Sequence, residues 1–146
     1  MDSHNVQKIG KKYIPNFVGV FSLNKLPQAL CAPANLIVNT DTHNLPGEHW
    51  LAISYQKGGV VYVFDSFGFF YPRLLKMYLN KLRRSTPVIY NRIHYQSLHE
   101  QTCALYCIAW LITINIEYKH MGINKSNKNL QHQSCHAAIC SHQRST

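Results

Sequence analysis

A chain of 146 residues can bury one core and is too short to hold several independent domains. Its 46% hydrophobic content excludes a disordered polymer. Fifteen Lys and Arg against six Asp and Glu leave a net charge of +9, which disfavours a basic partner and favours a polyanion, nucleic acid above all, bound non-specifically. Five cysteines at irregular spacing do not suggest a disulfide framework, so a reducing, intracellular setting is expected. The polar start, Met1–Gly10, is unlike a secretion signal.

In chain order, residues 1–13 carry Lys8, Lys11 and Lys12 and little to bury, and read as a loose basic arm. Residues 16–30 mix apolar residues with Gly19 and Pro27, as a loop with a turn of helix would. Residues 34–39 (ANLIVN) are a short apolar run of the length of a buried strand. Residues 40–47 are turn-rich. Residues 50–56 (WLAISYQ) and 60–64 (VVYVF), separated by Lys57-Gly58-Gly59, give a β-hairpin signal. His49 precedes the first of these strands and Asp65 follows the second, so the hairpin register brings an imidazole and a carboxylate to one end of a sheet.

Residues 71–84 (YPRLLKMYLNKLRR) predict an amphipathic helix. Leu74, Leu75, Tyr78, Leu79 and Leu82 fall on one side, and Arg73, Lys76, Lys81, Arg83 and Arg84 mostly on the other. That basic side is an ordinary solvated face or a DNA-contacting one. Residues 87–90 (PVIY) read as another short strand. From Cys103 to Ile116 nearly every residue is apolar, which predicts a buried helix; the run falls short of the roughly 20 residues that cross a bilayer, so no membrane partner is expected. Thr102 is a suitable N-cap, which puts Cys103 at the positive end of the helix dipole, where a thiolate nucleophile is favoured. Cys107, one turn on, reads as a core thiol. Residues 121–146 are polar and read as a poorly ordered tail; His132, Cys135, His136, Cys140 and His142 fit no zinc-finger spacing, and no metal or cofactor is expected. The expected organisation is therefore an arm (1–13), one domain (14–120) and a tail (121–146).

The order His49, Asp65, Gln96, Cys103, set in HWLAIS, VYVFDSFG and QSLHEQTCALYC, resembles the adenovirus maturation protease family, whose relatives are also encoded by Polinton/Maverick virus-like DNA transposons. The likeness runs from about Phe17 to Tyr118 and includes VGVFSLNKLP and LIVNTDTHNLPGEHW. It implies an α+β cysteine peptidase of the adenain-like fold: a small mixed sheet with a central hairpin, packed against a buried nucleophile-bearing helix and flanking helices. It also implies a thiol endopeptidase with Cys103 as nucleophile, His49 as general acid–base, Asp65 as its orienting carboxylate and Gln96 in the oxyanion hole, with Gln101 as the rival for that last role. The polypeptide substrate would be a virion or capsid precursor of a virus-like element, processed in the host nucleus or cytoplasm or within the virion. Two alternatives stay open: a peptidase for ubiquitin-like modifiers, and an inactive relative that binds DNA or capsid protein through its basic surface. Ala104 departs from the Gly that usually follows the family nucleophile.

Overall fold

Strands apolar on both faces organise the chain. The computed structural model describes residues 1–40, 49–68, 71–83, 86–97 and 101–120. Within them β1 (Phe17–Ser22), β2 (Ala34–Asn39), β3 (Trp50–Tyr55), β4 (Val61–Asp65) and β5 (Val88–Tyr90) form one sheet in that spatial order. β1 runs parallel to β2 and β4 parallel to β5, while the β2–β3 and β3–β4 pairs are antiparallel. Ala34 to Val38 are all buried, as are Trp50 to Ser54. Such unbroken runs need cover on both sides of a sheet.

Period-two alternation sorts these residues between two cores. Ile37, Trp50, Ala52 and Phe64 face α1 (Ser3–Tyr13) and α3 (Cys103–His120). Leu36, Val38, Leu51, Ile53, Val61 and Val63 face α2 (Arg73–Leu82) through Leu75 and Leu79. The fold is α+β, a mixed sheet between helical layers. Among the described residues, no helix is long and apolar enough to cross a membrane.

Three expectations need correction. Residues 1–13 are not a loose arm. Asp2 caps α1 by accepting from the Asn5 N–H at 2.8 Å, and Val6 and Ile14 are buried in the α3-side core. Gln7 accepts the Val20 N–H at 2.7 Å, tying α1 to β1. Gly10 permits the close approach, since a Cβ there would collide with the Phe17 ring. Residues 16–30 hold β1 and a 3₁₀ turn, Leu23–Lys25, not only a loop. In α2, Leu74 is exposed beside Arg73, Lys76 and Lys81, and the buried stripe is narrower than its leucines suggested. The irregular cysteine spacing also concealed that Cys31 is disulfide-bonded; Cys103 and Cys107 are not. The turn of residues 41–47, Arg84 and the whole tail with its His/Cys cluster lie outside the described residues.

Candidate active site

The hairpin register delivers the first two residues of the site. Leu51 faces Asp65 across β3 and β4, so position 49 falls opposite position 67, at the edge of the range the turn implied. His49 Nε2 and Asp65 Oδ1 lie 2.7 Å apart on the diagonal. Asp65 is fully buried and His49 is 16% exposed, so the pair sits at the mouth of the core. The same Asp65 oxygen accepts the Phe67 N–H at 2.9 Å, and the Phe67 ring lies 4.9 Å from the imidazole. Asp65 therefore holds the ring from one side while Phe67 limits its tilt.

The helix delivers the third. α3 starts at Cys103, and the Thr102 carbonyl accepts the Tyr106 N–H at 3.1 Å, placing Thr102 at the cap position expected of it. Cys103 lies close enough to His49 to act on its charge. Burial opposes the imidazolium most strongly, but hydrogen bonding to Asp65 and to Cys103, with the negative charge of both, outweighs it and raises the His49 pKa to about 9. Nε2 is committed to Asp65, and Nδ1, buried and without another hydrogen-bond partner among the described residues, is the nitrogen left for the thiol. Cys107 is different in kind. Its Sγ donates to the Trp50 carbonyl at 3.3 Å, and burial, foremost, pushes its pKa well up, as suits a structural thiol.

Gln96 is buried and Gln101 exposed. The Ser66 hydroxyl donates to Gln96 Oε1 at 2.7 Å, and the Tyr95 and Gln96 N–H groups both donate to the Ser66 carbonyl. Gln96 is thus bound to the residue directly after Asp65. With Oε1 held by Ser66, its amide nitrogen points to the other side of the group. Gly68, at φ 75°, completes the arrangement: a Cβ there would lie 2.7 Å from the Ile93 carbonyl oxygen, so only glycine lets this turn meet the 92–96 segment.

Sequence reasoning singled out His49, Asp65, Gln96 and Cys103, and overlooked the residues that hold them. Neither Ser66, directly after Asp65, nor Asn91, directly after β5, stood out as a site residue. The one signal for Asn91 was an amide side chain directly after a short strand, a common and weak feature.

Comparisons with known proteins agree with the geometry. The chain is 34% identical to the protease of Bovine adenovirus C serotype 10 over 116 residues, 70% of this chain and 54% of that protein. It is 29% identical to the protease of Porcine adenovirus A serotype 3 over 117 residues, 67% of this chain and 55% of that one. The chain therefore spans about half the length of the curated relatives it matches. A crystal structure of the ASFV pS273R protease overlaps 57% of this chain and 37% of its own at 22% identity, with a TM-score of 0.37, too slight a likeness to carry an argument. The family model for the adenovirus endoprotease matches residues 17–142, which span the sheet, the imidazole–carboxylate pair and the cysteine helix, and the chain belongs to that family.

Proposed function

We propose that the chain is a cysteine endopeptidase that cleaves viral precursor polypeptides with Cys103, His49, Asp65 and Gln96. The observation that carries the reading is an imidazole held 2.7 Å from a buried carboxylate, with a thiol at a helix start near enough to act on its charge. Few structural needs call for that trio, and acyl transfer needs all three.

In this mechanism His49, an imidazolium at working pH because its pKa is raised to about 9, already holds the proton of Cys103, and the Sγ thiolate attacks the scissile carbonyl carbon. The Cys103 N–H, at the first turn of the helix, and the Gln96 amide receive the oxyanion. His49 then passes its proton to the leaving amine as the C–N bond breaks, which leaves a thioester. Water, deprotonated by His49, attacks the thioester; the acid product leaves and the thiol is restored. Asp65 keeps the imidazolium in place throughout and takes no proton. The protease names of the adenovirus relatives support a viral precursor as substrate. The excess of Lys and Arg supports non-specific DNA as a second partner; the setting we infer, a virus-like element inside a host cell, rests on the family resemblance.

A thiol-directed peptide electrophile tests the reading. Wild type and Cys107→Ala should label rapidly at residue 103. His49→Ala should lose about 10²-fold or more in rate, and Gln96→Ala should lose about 10²–10³-fold in turnover of a peptide substrate. Labelling that persists in Cys103→Ala, or that maps to Cys107 in wild type, would refute it.

A further inference from the structure

We propose that Asn91 is a positioning residue, whose carboxamide fixes the backbone of Asp65 and thereby the carboxylate that holds His49; this rests on the peptidase reading above. Pairing between β4 and β5 ends at Val63 and Tyr90, and the last main-chain bond beyond it runs from the Asn91 N–H to the Val63 carbonyl at 3.2 Å. Asp65 lies past that point. Its N–H donates to Asn91 Oδ1 at 2.7 Å, and Asn91 Nδ2 donates to its carbonyl at 2.7 Å. A side chain thus stands in for the missing strand residue and grips both polar groups of one peptide position.

The grip is itself braced. The Tyr71 hydroxyl lies 2.9 Å from both Asn91 Oδ1 and the Asn91 carbonyl oxygen and shares its one proton between them. Asn91 Nδ2 also donates to the Ile93 carbonyl at 3.1 Å. The Asp65 N–H can only donate, so the amide oxygen must face it and the orientation of the carboxamide is settled by chemistry. The Asp65 carbonyl has a second donor, the Gly68 N–H at 2.9 Å, but Asn91 Oδ1 supplies the acceptor for its N–H. Loss of the carboxamide therefore leaves the end of β4, where the carboxylate begins, paired on its β3 side alone, and Asn91 belongs to neither core.

Asp65 and His49 are surrounded by few titratable groups. Cys103 and Cys107 approach from α3, Tyr71 from the start of α2, and His94 reaches the Phe67 ring at 6.0 Å. None of them changes in an Asn91 variant, so a change in His49 titration reports Asp65.

Two measurements on the full chain test this: the His49 pKa by NMR titration, and electrophile labelling resolved into maximal rate and half-saturating concentration. Asn91→Leu should lower the His49 pKa by about one unit or more and reduce the maximal labelling rate about tenfold, with half-saturation within about twofold of wild type. Tyr71→Phe, which removes only the brace, should shift both in the same direction by less, and serves as the test if Asn91→Leu does not fold. Asn91→Asp keeps the acceptor for the Asp65 N–H and should recover part of the rate lost in Asn91→Leu. An unchanged His49 titration in folded Asn91→Leu, or in Tyr71→Phe if that variant alone folds, overturns the proposal. Because the titration needs no catalysis, it separates this failure from failure of the peptidase reading, in which wild type itself would not label at Cys103.

Discussion

At the scale of single residues, His49 links the site to the stability of the whole fold. Its pKa is raised from the ordinary 6.5 to about 9, so the folded chain holds a proton that the unfolded chain releases. Below about pH 6.5 both states are protonated and the contribution is present in full. Between about 6.5 and 9 the unfolded state has lost its proton and the folded state has not, and stability falls; above about 9 the contribution is gone. A shift of that size corresponds to at most on the order of 3 kcal/mol. The urea midpoint of wild type should therefore fall from pH 6.5 to 9 relative to that of His49→Gln, with the gap closing as pH rises. A gap that widens over that range would mean the imidazole is held neutral. The hairpin made this pairing legible, because a turn at Gly58 and Gly59 leaves little freedom in where position 49 can land. The grip of Asn91 on Asp65 was not legible, because it joins residues 26 apart through a side chain and leaves no periodic trace.

At the scale of elements, α3 was the clearest feature of the sequence and α1 the most obscure, and one cause underlies both. α3 is buried against β3 and β4, and carries Cys103, Cys107, Ile108, Leu111 and Ile114 in its buried face, a density of apolar residues that announces a core helix. α1 is buried only along Val6, Gly10 and, just past its end, Ile14, with lysines elsewhere. A stripe that narrow is indistinguishable from an arm until its partner is known. The position of α3 bears on Ala104. Ala104 is 3% exposed and belongs to the core with Val6, Trp50 and Cys107, so its methyl fills space between helix and sheet. Ala104→Gly should cost about 1 kcal/mol through lost helix propensity, and somewhat more for the space left behind. The melting temperature should drop by a few degrees while the labelling rate per folded molecule is unchanged. A large gain in that rate would show that the methyl crowds the substrate after all.

At the scale of the whole molecule, the charge of +9 is the property least tied to the fold, because neither core uses it. Seven of its described lysines and arginines sit on or beside two helices that cover opposite faces of the sheet: Lys8, Lys11 and Lys12 on α1, and Arg73, Lys76 and Lys81 on α2 with Arg83 just after it, all exposed. One straight duplex cannot lie on both faces at once, so the proposed binding of DNA predicts a preference for one of them. α2 is the better candidate, since it and Arg83 carry four basic residues and no acid, whereas Asp2 caps the start of α1 and adds negative charge there. If about four phosphates are neutralised, log affinity for duplex DNA should fall with log salt at a slope of roughly −3.6, whatever the base sequence. Arg73→Glu with Lys76→Glu should weaken binding and flatten that slope by about 2, while Lys8→Glu with Lys11→Glu should leave the slope within about half a unit. Equal losses from the two pairs would mean that DNA senses only net charge, and α2 would then have no special part in binding it.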